Sequence, residues 1–195
     1  MTPTLDVRVF RLMNGLAGRD VATDAVFIFG ANKLIVLMAA LVIAYVAVSW
    51  KTDHFEGRFE NMFHVGLGAA LALAVEVVIG FLWFRPRPFV TLPDVVKLIE
   101  KSPLEKSFPS GHASVAFALA FGVWLHNKKW GWIMLVLAAC VGLSRIFVGV
   151  HYPSDVLGGI VVGYVCARLA APIKKGIEPY LEFLPVFRKY KKRNV

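Results

Sequence analysis

The sequence predicts an all-α protein: a polytopic membrane helix bundle of five or six transmembrane helices with an N-terminal interfacial helix. Of its 195 residues, 57% are hydrophobic and only 18% are charged, and the mean hydropathy is +0.63. That balance suits a membrane protein better than a soluble globule. Long apolar runs recur along the chain, and a helix needs roughly 20 mostly apolar residues to cross a bilayer. We expect residues 1–195 to form a single integral-membrane domain.

The N-terminal segment suits the membrane surface better than the membrane interior. Residues 4–16 place apolar side chains at helical spacing with Arg8 and Arg11 between them, which is typical of an interfacial helix. The next apolar stretch, 24–32, either extends the first span or forms a separate broken segment that ends at Asn32-Lys33. This choice leaves the number of spans at five or six.

Five longer apolar runs predict the spans themselves. They lie at 34–50, 65–84, 112–126, 130–150 and 153–171. The run at 112–126 is short, but it reaches spanning length if its helix starts near Ser110. In the last run, Gly159-x3-Gly163 predicts close packing against another helix.

The net charge of +9 raises the question of whether the chain binds nucleic acid. We expect that it does not, because seven of the 22 Lys and Arg residues lie in 172–195, where a basic tail follows the last apolar run. Basic residues next to a span are typical of its cytoplasmic side. With this tail in the cytoplasm, the loop at 85–110 and the connection at 145–153 face outward from the cell membrane.

Ionisable residues at span ends are costly and are therefore candidates for function. In a first group, Arg85 and Arg87 follow a span that adjacent prolines terminate, although snorkelling alone also explains them. In a second group, Ser110 is a good helix N-cap, Gly111 lets a ligand approach the backbone, and His112 lies in the first turn. A helix N-terminus of this kind binds phosphate readily, although a capped helix with an incidental histidine also explains this group.

A third group supplies a second histidine with a carboxylate partner. Arg145 ends one span, and Pro153 suits the first position of the next helix. Asp155 then falls in the first turn, within reach of His151. A carboxylate that accepts one ring N–H of a histidine fixes the tautomer and leaves the other nitrogen free to attack. Stabilisation of the helix dipole would explain Asp155 alone, but not Arg145 and His151 beside it.

Together the three groups predict phosphoryl transfer. Arginine forks bind phosphate oxygens and stabilise transition-state charge, while one histidine attacks phosphorus and the other protonates the leaving oxygen. No acidic cluster suited to magnesium or calcium accompanies these residues, and the two histidines lack zinc-ligand spacing, so we expect no metal ion and no other cofactor. His64 and His126 have no polar companions in the sequence and are left outside the site.

The motifs resemble those of the type 2 phosphatidic acid phosphatase superfamily, whose signature is K-x6-R-P, P-S-G-H and S-R-x5-H-x3-D. The second part is intact at residues 109–112. The third is intact at Ser144, Arg145, His151 and Asp155. The first is half present, because Arg87-Pro88 matches but Gly80 stands where the family has lysine. The resemblance covers roughly residues 60–170.

The resemblance implies that His151 is the nucleophile, that Asp155 is its partner and that His112 is the general acid for the leaving group. The implied phosphate-binding groups are Arg87, Arg145, Ser110 and the N–H of Gly111. Arg85 is the nearest candidate to replace the missing lysine. Glu76, in the preceding span, is either a buried hydrogen-bonding group or part of a lipid cavity.

Within the family, the short chain, the R-P-R-P-F form of the first motif and the outward site are most similar to bacterial undecaprenyl pyrophosphate phosphatases of the bacitracin-resistance type. That resemblance implies hydrolysis of undecaprenyl pyrophosphate to the monophosphate through a phosphohistidine, which recycles the carrier lipid for cell-wall synthesis. The expected partners are a lipid phosphate and the bilayer.

Two alternatives stay open. One is the same chemistry on another lipid, such as phosphatidylglycerol phosphate, phosphatidic acid or diacylglycerol pyrophosphate, because lipid-facing walls rather than the phosphate site set that specificity. The other is a phospholipid-binding or transport protein without catalysis, for which inverted repeats and interrupted helices would be more typical.

Overall fold

The computed structural model describes residues 4–47 and 55–181, and every regular element in those ranges is a helix. The helices are α1 (Leu5–Asn14), α2 (Val21–Asn32), α3 (Leu34–Ala47), α4 (Phe55–Leu82), α5 (Pro88–Thr91), α6 (Gly111–His126), α7 (Lys128–Phe147) and α8 (Pro153–Leu181). The predicted all-α class is confirmed. The part of the predicted basic tail beyond residue 181 lies outside the described residues.

Three helices contain a segment long and apolar enough to cross a bilayer: Glu60–Leu82 in α4, Lys128–Phe147 in α7 and Pro153–Pro172 in α8. The stretch at 24–32 lies in α2, a separate helix that meets α3 at a bend of 53°, so the pair adds at most one span. Helix α6 is shorter, with 16 residues. Length and composition alone therefore support three or four spans in the described ranges rather than five or six, and a crossing by α6 stays a prediction.

Helix α6 lies at the centre of the bundle and packs against α4, α7 and α8. Its central position is possible because its buried face is rich in small residues, among them Ala113, Ala116 and Ala120, which have no solvent exposure. Small side chains let neighbouring helix axes approach closely. The polar N-terminus of α6 is therefore enclosed by the ends of its neighbours.

The predicted close packing at Gly159-x3-Gly163 is confirmed. A Cβ on Gly163 would lie 2.7 Å from backbone atoms of both Ser114 and Ala118 in α6. This contact holds the first turns of α8 beside the first turns of α6. It thereby brings together two parts of the chain that carry the motif residues.

Helix α1 packs on the bundle through its C-terminal half, where Phe10 is 1% exposed and Asn14 is 2% exposed. The side-chain amide of Asn14 donates to the carbonyl oxygens of Val96 and Phe147, each over 2.8 Å, and accepts from the N–H of Val96 over 3.0 Å. The predicted N-terminal helix is present, and it ties the loop at 92–110 to the end of α7. Its position at the membrane interface stays a prediction.

We expect Gly163→Ala to destabilise the protein, because the added methyl group would force two helix backbones apart. Overpacking of this kind costs about 1–3 kcal/mol of unfolding free energy. That cost exceeds the ~1 kcal/mol that alanine gains over glycine in helix propensity. The measurement is the midpoint of thermal unfolding in detergent.

Gly66→Ala is the matched control, because a Cβ on Gly66 would have no described atom within 4 Å. Its midpoint should equal or slightly exceed that of the unchanged protein. Equal midpoints for the two variants would contradict the close contact between α6 and α8.

Candidate active site

Four chain segments converge at one end of the bundle: the link after α4, the N-terminus of α6, the last turn of α7 and the N-terminus of α8. Backbone hydrogen bonds join three of them: the link after α4, the N-terminus of α6 and the N-terminus of α8. The N–H of Ser107 donates to the carbonyl of Arg85 over 2.8 Å, and the N–H of Ser110 donates to the carbonyl of Asp155 over 3.0 Å. The three polar groups predicted from the sequence therefore lie at the same end of the molecule.

Asp155 has no solvent exposure, and its carboxylate is surrounded by donors. Oδ2 accepts from the Ser107 hydroxyl over 2.5 Å and from the N–H of Tyr152 over 2.8 Å. Oδ1 accepts from Nη1 of Arg85 over 2.6 Å. A buried carboxylate is strongly destabilising unless it is paired and hydrogen-bonded. These donors meet that requirement and hold the carboxylate in one orientation.

His151 lies between Asp155 and Arg87 and is 2% exposed. Its Nδ1 lies 3.6 Å from Oδ2 of Asp155, and its Nε2 lies 3.2 Å from Nη1 of Arg87. Because a guanidinium group only donates hydrogen bonds, Nε2 must be the acceptor in the contact with Arg87. The ring proton therefore resides on Nδ1, facing the carboxylate. This is the tautomer that a nucleophile at Nε2 requires.

Burial lowers the pKa of His151 to about 4, and Arg145 and Arg87 add to the effect, although Asp155 opposes it. Protonation would place a third positive charge beside the two buried guanidinium groups. Near neutral pH the imidazole is therefore neutral, and the lone pair on Nε2 is available.

The N-terminus of α6 supplies the second histidine. Ser110 is confirmed as the N-cap, because its side chain accepts a hydrogen bond from the first turn. His112 follows in that turn, two residues after Ser110, whose N–H donates to the carbonyl of Asp155 over 3.0 Å. The positive end of the helix dipole and the nearby guanidinium groups together favour the binding of an anion.

Arg87 and Arg145 are 5% and 1% exposed, which is unusual for arginine. Besides His151, Nη1 of Arg87 contacts the carbonyl of Val150 over 3.0 Å. Nη1 of Arg145 donates to the carbonyl of Ala31, at the end of α2, over 3.2 Å. The Nε atom of each arginine is buried without a hydrogen-bond partner among the described residues. Two buried guanidinium groups with unused donors suit the recognition of phosphoryl oxygens.

The structure gives Arg85 different partners from those expected of a phosphate-binding residue. Its Nη1 donates to Asp155 over 2.6 Å and to Ser154 Oγ over 2.7 Å, and its Nη2 donates to Asp6 Oδ2 over 2.7 Å. The guanidinium group also lies over the ring of Tyr152, 4.1 Å from the centroid. With a carboxylate on each side, Arg85 is placed to orient Asp155, and this geometry does not favour it as the replacement for the missing lysine.

Other residues at the site were not identified from the sequence. They are Asp6, Lys101, Glu105, Lys106 and Ser107. Ser107 could have been found from the sequence, because it lies two residues before Pro109, the first residue of the P-S-G-H segment. Asp6 could not have been found from the sequence, because its contact with Arg85 depends entirely on where α1 packs.

Glu105 is a counter-ion of Arg87 in this structure. Its Oε2 lies 3.1 Å from Nη2 of Arg87 and 3.3 Å from Nζ of Lys101. Burial tends to raise the pKa of Glu105, but Lys101 and Arg87 outweigh that effect and hold the pKa below its usual range. Glu105 is therefore ionised at neutral pH, and an incoming phosphate would compete with it for Arg87.

The expectation that His64 and His126 lack polar neighbours is wrong. Nδ1 of His64 lies 2.7 Å from Nε2 of His126, and the two rings meet edge to face. The packing of α4 against α6 brings them together, a contact that no local pattern could indicate. The pair is nevertheless at the opposite end of α6 from Ser110, so it stays outside the site.

Comparison with known proteins shows the family to which the chain belongs. The family model of the PAP2 superfamily matches residues 61–177. The chain is 36% identical over 163 residues to the bacitracin transport permease protein BcrC of Bacillus licheniformis, covering 84% of this chain and 77% of that protein. It is 27% identical over 180 residues to the undecaprenyl-diphosphatase BcrC of Bacillus subtilis (strain 168), covering 92% of this chain and 90% of that protein.

A solved structure shares this arrangement of helices over most of the chain. The crystal structure of Aquifex aeolicus LpxE matches with a TM-score of 0.66 and 28% sequence identity, covering 87% of this chain and 96% of that chain. The family match also contains every residue of the three motif segments. The chain is therefore a multi-pass membrane protein that belongs to the PAP2 superfamily.

Proposed function

We propose that this protein is an integral-membrane phosphatase that hydrolyses undecaprenyl pyrophosphate to undecaprenyl phosphate and inorganic phosphate. The observation that carries the proposal is the convergence of the α6 N-terminus, which carries His112, with the His151–Asp155 pair and two buried arginines at one end of a membrane helix bundle. The choice of substrate is supported by the relative from Bacillus subtilis, which is an undecaprenyl-diphosphatase.

In the first step, Nε2 of His151 attacks the terminal phosphorus of the diphosphate. The bond from phosphorus to the bridging oxygen breaks, the electron pair stays on that oxygen, and the lipid monophosphate leaves with a proton from His112. His112 must hold that proton when the anionic diphosphate lies beside it, because an adjacent negative charge favours the imidazolium. The Nδ1–H of His151 faces Oδ2 of Asp155 across 3.6 Å, and this carboxylate stabilises the positive charge that develops on the ring. Arg87 and Arg145 bind the oxygens of the phosphoryl group in transfer.

In the second step, water attacks the phosphohistidine. His112, now neutral, takes a proton from that water as the N–P bond breaks and inorganic phosphate leaves. His151 regains its lone pair on Nε2, and His112 regains the proton that the next cycle uses. Arg87 must turn its donors from Nε2 and Glu105 towards the phosphate oxygens during this cycle.

We further propose that the site opens on the outer side of the cell membrane and that the C-terminal tail is cytoplasmic. The basic residues of 172–195 support this orientation. The polyprenyl chain would then stay in the bilayer while the diphosphate meets the arginines at the polar end of the bundle.

The substrate is tested by phosphate release from a panel of lipids by the purified protein. We expect the fastest release from undecaprenyl pyrophosphate, and slower release from phosphatidylglycerol phosphate, phosphatidic acid and diacylglycerol pyrophosphate. A preference for one of the other lipids would leave the proposed reaction mechanism standing but would contradict undecaprenyl pyrophosphate as the substrate.

The same assay with EDTA tests metal independence. We expect an unchanged rate, because the proposed roles are all filled by side chains and because no group of three or more His, Cys, Asp and Glu side chains in the described ranges is arranged to hold a metal ion. Loss of phosphate release in chelator, restored by a divalent cation, would refute the metal-free mechanism.

We expect His151→Ala to lower kcat by at least roughly 10³-fold, because the nucleophile is removed. A quenched reaction with a diphosphate labelled in its terminal phosphate should show an acid-labile phosphoenzyme in the unchanged protein and none in this variant. His126→Ala, at the far end of α6, is the control and should keep its turnover. Substantial hydrolysis by His151→Ala would mean that another group attacks phosphorus.

We expect Asp6→Asn to lower kcat by up to about tenfold, because this partly exposed ion pair with Arg85 contributes modestly to the orientation of Asp155. Arg85→Ala should cost more, because it removes a direct donor to Asp155. Asp94→Asn is the matched control, because it breaks a more exposed pair with Arg11 away from the site. A similar loss of kcat for Asp94→Asn and Asp6→Asn would show that α1 acts only through its attachment to the bundle.

A further inference from the structure

The space beside Gly80 is occupied by the side chain of Lys106. A Cβ on residue 80 would overlap with Cδ, Cε and Nζ of Lys106. Gly80 is the position in α4 where the family motif has lysine, so a lysine from a different segment passes over the place where that side chain would start. Glycine at residue 80 is what leaves room for it.

The ammonium group of Lys106 lies near the N-terminus of α6. It donates to the carbonyl of Glu76 and lies 2.6 Å from Oε1 of the same residue. The carboxylate of Glu76 in turn lies beside Gly111, where a Cβ would be 3.2 Å from Oε1. A single carboxylate therefore connects the lysine to the helix terminus that we propose binds the phosphoryl group.

The backbone next to Lys106 is held by the site itself. The N–H of Ser107 donates to the carbonyl of Arg85 over 2.8 Å, and its hydroxyl donates to Asp155 over 2.5 Å. The side chain of Lys106 is 21% exposed and that of Glu76 is 13% exposed, so the pair is partly buried. An anchored backbone with a long, flexible side chain allows the ammonium group to move between nearby anions.

We propose that Lys106 replaces the lysine missing from the first motif and binds a phosphate oxygen of the substrate, with Glu76 as the counter-ion that it leaves when the phosphate arrives. This inference rests on the proposed function, because it assigns a further residue to the same phosphate. It also explains Gly80 and Glu76 together: the glycine admits the lysine, and the carboxylate holds it beside α6.

A purely structural role for Lys106 is the alternative to phosphate binding: the lysine would only neutralise Glu76, a carboxylate in an apolar helix. Three variants separate them: Lys106→Ala, Glu76→Gln with Lys106→Ala, and Gly80→Lys with Lys106→Ala. If the lysine only neutralises Glu76, removing both charges restores turnover. If it binds phosphate, turnover stays low in that double variant, and only the variant with a new lysine at position 80 recovers.

We expect Lys106→Ala to lower kcat/KM for undecaprenyl pyrophosphate by roughly 10- to 100-fold, the usual range for losing a charge-assisted contact. The loss should persist in the double variant with Glu76→Gln, and Gly80→Lys should recover most of it. Full turnover in Lys106→Ala, recovery through Glu76→Gln, or no recovery through Gly80→Lys in a folded protein would each overturn the inference. Thermal unfolding in detergent establishes that each variant is folded.

Lys97→Met is the control for loss of a positive charge from the same loop, because Nζ of Lys97 pairs with Glu100, which is 99% exposed. Orthovanadate, a phosphate analogue, provides a readout that does not depend on the lipid. Its affinity, measured by thermal shift, should fall in Lys106→Ala and not in Lys97→Met. If vanadate binding depends on Lys106 but no diphosphate lipid is hydrolysed, the proposed function is overturned and this inference stands. If Lys106→Ala changes neither lipid hydrolysis nor vanadate binding, this inference is overturned and the proposed function stands.

Discussion

The buried carboxylate of Asp155 is the interaction on which the rest of the site depends. A carboxylate removed from water needs donors, and the chain provides them from the link after α4, the loop before α6 and the turn before α8. The contacts that satisfy the charge also hold these segments against one another. His151 is consequently fixed between the carboxylate and Arg87, so the local fold and the orientation of the proposed nucleophile have the same physical cause.

The central helix α6 explains how this polar site can exist in a largely apolar bundle. Its small side chains allow α4, α7 and α8 to pack closely around it, and its positive N-terminus is directed into the site. Large apolar side chains such as Val77, Leu157 and Val161 are exposed on the outside of the surrounding helices. The polar groups of the proposed site therefore lie at one end, and the flanks offer apolar surface for a lipid chain.

Segments with little sequence signal supply many of the contacts that orient the motif residues. The end of α2 accepts a hydrogen bond from Arg145, and α1 provides both Asp6 for Arg85 and Asn14 for the loop at 92–110. The packing of Lys106 against Gly80 is a further case, because there a residue outside the motif is proposed to contact the phosphate itself. What matters for phosphate binding is where the positive charge lies. A lysine from a different segment can place it there when a glycine leaves room for its side chain.

The sequence by itself determined the helical class, the order of the apolar helices and the residues that we propose to react, because hydropathy, N-caps and motif spacing are local properties. Ser110 and Pro153 begin their helices where those residue types predict. Only the tertiary structure decided the partners of Arg85, the contact of His64 with His126 and the position of Lys106 beside Gly80. The physical reason is distance along the chain: Asp6 and Ser154 are 148 positions apart, and only the packing of whole helices brings such residues within hydrogen-bonding range.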